Sequence, residues 1–532
     1  MTLLKVSSFR FQVSAFELRA HSSDISILSK KIDIQTDKEQ TKDDSTYDHI
    51  IKYTGLFGGV QGLTMLMSIV RNKIGAVLLG PAGLALINIY NNVTRLINES
   101  TNFGISFSAI KHIAELYDTG DMERIAKFAC TVRTWSLLTA LFGTLICLTF
   151  APWISLWTFE NYDYTTTFML LAPIVGLMSL MGGELAILKG TKRLKKIALI
   201  SVFSALSMLV VCTICYILFH IDGIVLALLL SNIIIFAIYL HYSNQVIPWK
   251  SSIRSAAVIK SGVPMVVLGV GYIIAGIFGQ GAEYVIRTLI LHFGKLEDVG
   301  LYNSGYILAI SYASIIFSAI EADFFPRLSA SGNNLQRQNQ TINQQIEVCT
   351  LLISPILVLF VLAMPLVVRA LFTTEFMASV PMAICAILFM FFKALTLPVA
   401  YLPLAKGDSK IYMLTELIYD IFVALAVPYA FKYWGLMGAG SALSVGGFLD
   451  MLIIHSFYRY RYHYRFNKAK LGIYIIQFIL LLSVILLSLQ ASSLYKWIGG
   501  ILAFILSLYI SLHILSKETN IISTLKKKLR RK

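Results

Sequence analysis

Lys189-Gly190-Thr191 and Lys406-Gly407-Asp408 stand about 217 residues apart, each just ahead of an apolar segment. Gly83-Leu84 and Gly300-Leu301 open two further apolar segments at that same offset. Gly223, in Asp222-Gly223-Ile224, is echoed by Gly435 in Trp434-Gly435-Leu436 at about 212 residues. One shared dipeptide says little, but a common spacing among several marks an internal duplication. Duplicated halves in a membrane chain point to a secondary transporter, whose two similar bundles rock about a central site.

The chain has 532 residues, 57% hydrophobic and 14% charged, with a mean hydropathy of +0.72. Soluble domains carry about 25% charged residues. Apolar runs long enough to cross a bilayer, about 20 residues each, recur along most of the length. Only helices satisfy every backbone group inside such a run, and the alternation of porin-type strands is absent. The reading is an all-α polytopic membrane protein with fourteen spans between residues 52 and 515. Every second loop is basic: Lys192, Arg193, Lys195 and Lys196 follow span four, and Arg459, Arg461, Arg465, Lys468 and Lys470 follow span twelve. The positive-inside rule puts those loops and both termini in the cytoplasm. The net charge of +16 and the Lys526–Lys532 tail suit anionic headgroups better than nucleic acid.

Residues 1–47 are polar, mixed in charge and without an apolar h-region. They read as a disordered cytoplasmic extension and not as a signal peptide. Residues 48–260 hold six spans and 261–460 hold six more, so the halves are parallel repeats. Residues 461–532 add two spans and the basic tail. Pro173, Pro264, Pro355, Pro365, Pro398, Pro403 and Pro428 bend spans for packing or supply hinges. No Walker motif, metal-ligand cluster or catalytic set occurs, so neither an enzyme nor a cofactor is expected. Cys212-x-x-Cys215 lies mid-helix among Leu, Val and Ile, where it packs.

Ionisable groups at membrane depth are costly and usually face a cavity or a partner. Arg71 and Lys73 interrupt span one, Arg95 and Glu99 lie one turn apart in span two, and Glu283 and Arg287 do so in span seven. Glu184, Lys393, Glu416, Asp420 and Asp450 fall in spans four, ten, eleven and twelve. The pairs can be self-neutralising, and Arg71 or Arg369 can snorkel to an interface. Cations converging from spans one, two and seven suit an anion such as pyrophosphate. Asn88, Asn91 and Asn92, with Tyr306 in span eight, suit a hydroxyl-rich ligand such as sugar.

The stretch Leu79-Gly80-Pro81-Ala82-Gly83-Leu84-Ala85-Leu86, with Glu297-Asp298-Val299-Gly300-Leu301-Tyr302, Phe325-Pro326-Arg327-Leu328 and Ala405-Lys406-Gly407-Asp408, resembles bacterial Wzx-type flippases. The resemblance spans about 50–460. It implies the MATE-like fold of the multidrug/oligosaccharidyl-lipid/polysaccharide superfamily: two six-helix lobes, with two extra C-terminal helices here. It also implies export of an undecaprenyl-pyrophosphate-linked O-antigen, capsule or exopolysaccharide unit across a bacterial inner membrane, beside polysaccharide polymerase machinery. Lys73 and Arg287 fall where family basic residues are expected, whereas Asn91 replaces one and Arg95 lies a turn later. On this reading Lys73, Arg71, Arg95, Arg287 and Lys393 hold the pyrophosphate. Asn88, Asn91, Asn92 and Tyr306 face the sugars, and Glu99, Glu283, Glu416 and Asp420 are candidates to couple transport to H+ or Na+. The alternative is a MATE-type cation-coupled drug or metabolite antiporter, which would be expected to line its cavity with acids and aromatics. A polymerase or ligase would carry a large external loop, which is absent.

The topology can be tested by cysteine accessibility labelling. Positions Tyr162 and Lys432 are expected to label from outside and Lys195 and Arg461 from inside; external labelling at 195 overturns the orientation.

Overall fold

In the computed structural model the backbone is described for residues 22–252, 255–332, 334–490 and 493–518, and among these every regular element is a helix. The chain divides into Met1–Met65 and Leu66–Lys532. Residues 1–21 of the expected disordered extension lie outside the described residues. The rest of it is helical, since α1 (Ser22–Thr101) begins at Ser22 and no Gly or Pro interrupts 22–54. The packed helices and the cavities between them belong to the second unit.

Nine stretches among the described residues are long and apolar enough to cross a membrane. Three of them, Gly59–Thr101, Leu194–Asn244 and Lys410–Tyr462, contain an internal reversal. One group of helices is α2 (Ile105–Asp118), α3 (Met122–Phe159), α4 (Thr165–Gly190), α5 (Leu194–Phe219) and α6 (Gly223–Asn244). Within it α3 packs on α4, α4 on α2 and α6, and α5 on α6. The post-Gly80 arm of α1 joins this group through Asn98, whose Nδ2 donates to Val175 O (3.2 Å) and Ser179 Oγ (2.8 Å).

The second group begins with α7 (Ala256–Phe293) and α8 (Leu296–Tyr306), which passes through a π-helical turn at Ile307–Ser311 into α9 (Tyr312–Ala330). It continues with α10 (Leu335–Leu371), α11 (Val380–Ala386), α12 (Leu388–Ala400), the short α13 (Leu402–Ala405) and α14 (Ser409–Tyr462). The run through α11 and α12 is its buried middle, packed against α10 and α14. The terminal α15 (Leu471–Gln490) and α16 (Ser493–Glu518) pack on α10 and on each other. There Gln477 accepts from Ser507 Oγ at 2.6 Å and donates to Ser511 Oγ at 3.1 Å.

α7 touches both groups. Near its start Trp135 Nε1 donates to Ile259 O at 3.1 Å, and the hydroxyls of Thr131 and Ser261 lie 3.4 Å apart. Gly269 and Gly104 then meet backbone to backbone, since a Cβ on Gly104 would lie 2.6 Å from the Gly269 carbonyl carbon. At the far end Lys432 Nζ, on α14, sits 4.9 Å over the Phe293 ring. Gly271, Gly276, Gly279 and Gly281 all fall between the Gly269 contact and Phe293.

Three reversals share one device. At Gly80-Pro81-Ala82-Gly83, His220-Ile221-Asp222-Gly223 and Gly435-Leu436-Met437-Gly438, a first residue with positive φ turns the chain (φ/ψ 65/−169, 49/−128 and 61/−153). The glycine three residues later then lets the new helix pass the old one. A Cβ at Gly83 would strike Leu79 Cβ, at Gly223 would lie 3.1 Å from Phe219 Cβ, and at Gly438 would lie 2.7 Å from Trp434 Cβ. The structural mate of Gly223 is therefore Gly438, three residues beyond the Gly435 that sequence pairing suggests, and the mate of Gly435 is His220. The paired Lys-Gly signals also diverge. A Cβ at Gly190 would lie 2.5 Å from Ile113 Cβ, whereas Gly407 (φ +76) turns in open space.

His220 thus holds a conformation that only glycine adopts cheaply, at a cost of about 1–3 kcal/mol. His220→Gly is expected to raise stability by up to that amount, and Gly435→Ala to lower it similarly, in thermal unfolding of the purified protein. Effects of the same sign from the two substitutions would refute the shared device.

Candidate functional site

The second arm of α1 is built two-faced. Asn88, Asn91, Asn92 and Arg95 recur at i, i+3, i+4 and i+7, which puts them on one side of a helix, while Ile89 and Val93 are buried on the other. The amides of Asn88 and Asn91 donate to the carbonyls of Leu84 (2.6 Å) and Ile87 (2.8 Å), one turn back. That leaves their Oδ1 atoms free for another donor. This polar side faces a cavity of about 350 Å³ between α1, α5, α7 and α8.

Arg287, 5% exposed, is the hub of the cavity wall. Its Nη1 donates to Glu283 O (2.9 Å) and Glu283 Oε2 (3.2 Å), and its Nη2 to Asn303 Oδ1 (3.1 Å). Asn92, with its amide oxygen turned to the guanidinium, accepts from Nη1 at 3.2 Å and Nε at 3.0 Å. The Tyr306 ring lies 5.9 Å from the guanidinium carbon. Three helices thus fix one charge. The π-helical turn then carries Ile307 and Ser311 onto the cavity side with Tyr306, and π turns of this kind are frequent at functional sites.

The other two arginines of the cavity are less well matched. Arg71 donates to Met208 Sδ (2.8 Å) and Asn72 Oδ1 (3.4 Å), and Arg95 is exposed to the cavity. Among the described residues no carboxylate pairs with either. The expected Arg95–Glu99 pair does not form. Glu99 instead accepts from Asn102 Nδ2 at 3.4 Å, near the α7 backbone at Gly276.

Behind Arg287 a second cavity of about 190 Å³ is lined by Gln280, Tyr302, Tyr419 and Asp420. Glu283, Arg287 and Tyr306 line both cavities and form the wall between them.

Two of the expected cavity cations lie elsewhere. Lys73 Nζ donates to Arg369 O at 3.1 Å and to Phe372 O, the carbonyls at the end of α10. A lysine suits that position, because the last carbonyls of a helix have no partner inside it. Lys393, on α12, and Glu416, on α14, line neither of these two cavities. Asn88, Asn91, Asn92, Arg71, Arg95, Arg287, Glu283 and Tyr306 do come together at the cavity.

Sequence reasoning noted Glu184 and missed its partner. Arg133 and Glu184 are each 1% exposed and bonded twice, Nε to Oε1 at 2.9 Å and Nη2 to Oε2 at 3.0 Å. Arg133 also donates to Pro248 O (2.7 Å) and Ile247 O (3.0 Å) and lies 4.8 Å over the Trp249 ring. The pair thereby ties α3 and α4 to the segment leading into α7. An isolated glutamate in an apolar span is the signal that a cation faces it.

A family model described as "Polysaccharide biosynthesis protein" matches residues 75–381. No curated protein matches the chain by sequence. Among solved structures, the lipid II flippase MurJ in an inward closed conformation is similar at TM-score 0.64 and 16% identity, over 87% of this chain and 99% of that one. An inward-facing multidrug resistance MATE family transporter of the MOP superfamily is similar at 0.63 and 14%, over 75% and 94%. A MOP superfamily transporter from Pyrococcus furiosus, described by the reverse polarity of its binding pocket, is similar at 0.52 and 13%, over 76% and 92%. At these identities the likeness is one of fold, and it agrees with the MATE-like fold expected from sequence.

Breaking the Arg133–Glu184 pair on one side strands a buried charge. Arg133→Met is expected to cost about 3–5 kcal/mol, and Arg133→Met with Glu184→Met to recover most of it, read as thermal unfolding in detergent. A double variant no more stable than the single would refute that reading.

Proposed function

The chain belongs to the polysaccharide biosynthesis protein family, and from that membership we propose that it flips a lipid-linked oligosaccharide, carried on undecaprenyl pyrophosphate, across the bacterial inner membrane. The observation that supports this most directly is the cavity's charge: three arginines and one carboxylate, with that carboxylate already bonded to Arg287. Arg71 and Arg95 bring positive charge that no described acid answers, which suits a diphosphate. The asparagine side of α1, with its spare amide oxygens, suits the proximal sugar hydroxyls. A cavity of about 350 Å³ is at the small end of the roughly 300–1,000 Å³ typical of ligand sites. It takes a diphosphate with a first sugar, and the lobes must part for the remaining sugars. The lipid tail stays in the bilayer.

Binding would then proceed by exchange. The arriving diphosphate competes with Glu283 for Arg287, and the freed carboxylate, 37% exposed, becomes able to take up a proton or Na+. Linkage makes that coupling reciprocal. Both termini would be cytoplasmic, with polymerase machinery on the far side receiving the product. One observation favours a cation-coupled antiporter instead: the second cavity carries Asp420 beside Glu283. Its volume of about 190 Å³ suits an ion better than a drug.

Arg71→Ala and Arg95→Ala are each expected to weaken retention of a short-chain polyprenyl-diphosphate saccharide by about tenfold or more, the worth of one charge-assisted contact. Surface glycan should be lost while the protein stays in the membrane. Arg287→Lys should also fail, because a point charge cannot reach Glu283, Asn92 and Asn303 together. Lys73→Ala should leave binding unchanged, since that amine serves the end of α10. Normal surface glycan in an Arg71→Ala/Arg95→Ala strain would sink the reading. Unchanged responses of Glu283→Gln to imposed pH and sodium gradients would remove Glu283 as the coupling group.

A further inference from the structure

At the far end of α14, remote in sequence from the central arginines, the chain leaves the helix at His463 (φ 56) and runs extended to the turn that starts α15. Its backbone is pinned along α10 at successive turns. Arg465 N donates to Asn339 Oδ1 (2.7 Å), Asn467 N to Asn343 Oδ1 (2.9 Å), and Asn343 Nδ2 to Arg465 O (2.8 Å). Lys470 Nζ reaches Glu347 at 2.7 Å. The segment is therefore held by its main chain and by Lys470, which leaves its other basic side chains unengaged.

Those side chains surround a cleft of about 1200 Å³, lined by Arg459, His463, Arg465 and Lys468 with His455 and Ser456. No carboxylate lines it among the described residues. Arg459, Arg465 and Lys468 are exposed, and none has a side-chain partner among the described residues. Unopposed cations around one concavity attract an anion.

The surface below the cleft says what kind of anion. On α14, Val445, Phe448, Leu452, His455 and Arg459 follow one another at three- and four-residue steps, a single helix face that is apolar and exposed at Val445, Phe448 and Leu452 and basic at its end. On α15, Leu471, Ile475 and Ile479 form a second exposed apolar stripe running away from the cleft. A free phosphate would use the cations and leave both stripes idle. A phospholipid uses both parts, with its phosphate among the basic groups and its acyl chains along the stripes.

We propose that the cleft formed by the end of α14 and the 463–471 segment is a binding site for a phospholipid with an anionic, phosphate-bearing headgroup. It is separate from the transport cavity and holds α15 against the core from the membrane side. Its occupancy stabilises the chain without entering the transported load.

The test uses the full chain in detergent, titrated with phosphatidylglycerol, phosphatidylcholine or soluble glycerol phosphate. Retained lipid is read by native mass spectrometry and stability by thermal unfolding. Phosphatidylglycerol is expected to bind and stabilise, and the other two to do neither at the same concentration. Arg459→Gln/Arg465→Gln/Lys468→Gln should weaken phosphatidylglycerol binding about a hundredfold. Lys195→Gln/Lys410→Gln, which removes charge from other basic loops, should not change it. If the triple variant fails to fold, Arg459→Gln and Lys468→Gln singly should each weaken binding about fivefold. Unchanged affinity in these variants, an equal loss in the control, or equal stabilisation by glycerol phosphate overturns the proposal.

Discussion

A guanidinium removed from water must be surrounded by something that replaces it, and this chain meets that demand to three different degrees. Arg133 is matched fully, by two carboxylate oxygens, two main-chain carbonyls and an indole face. Arg287 has one carboxylate and two amides, and it opens onto two cavities. Arg71 has only a thioether and an amide. The sequence of partners runs from structure to function. A fully answered charge fixes helices; under the proposed function, a partly answered one would exchange partners and one with no opposing charge would take the ligand. Burial of an ion pair is weak evidence for stability, but here the graded matching separates the roles.

The same need for internal satisfaction explains the reversals. Lipid-exposed irregular backbone is costly inside a bilayer, and at three connections the helices are joined with the fewest such residues, by one residue of positive φ and a glycine three positions on. The central cavity draws side chains from both arms of the Gly80 reversal, from α5 and α6 on either side of His220, and from α7 and α8.

How far the sequence revealed this depends on the kind of signal each feature leaves. Helices declare themselves by hydropathy, and the polar side of α1 declares itself because Asn88, Asn91, Asn92 and Arg95 recur at helical spacing. The duplication is visible, but its register is not, because His220 stands where the other reversals have glycine. Lys73 reads from sequence as a ligand for phosphate, whereas in the structure its amine donates to carbonyls, which every residue possesses and no sequence advertises. Glu184 was visible as a solitary charge, while Arg133, 51 positions away, sits near the start of its span, where a cation ordinarily reads as interfacial. The π-helical turn at Ile307–Ser311 has no compositional mark at all. Arg95 and Glu99 have the spacing of an ion pair, but Arg95 faces the cavity instead and Glu99 takes Asn102.

The placement of glycines in α7 has a mechanical consequence. Each glycine in a helix interior lowers its stability by about 0.8–1 kcal/mol relative to alanine, and beyond the Gly269 contact four more lie from Gly271 to Gly281. The helix is therefore stiff at its start, where Trp135 and Thr131 grip it, stiff at its end, where it rests on α14, and compliant in between. The compliant stretch stops two residues short of Glu283. Relative rotation of the two helix groups would concentrate its bending there and deliver it, as a lever delivers torque, to the residue pair that walls off one cavity from the other.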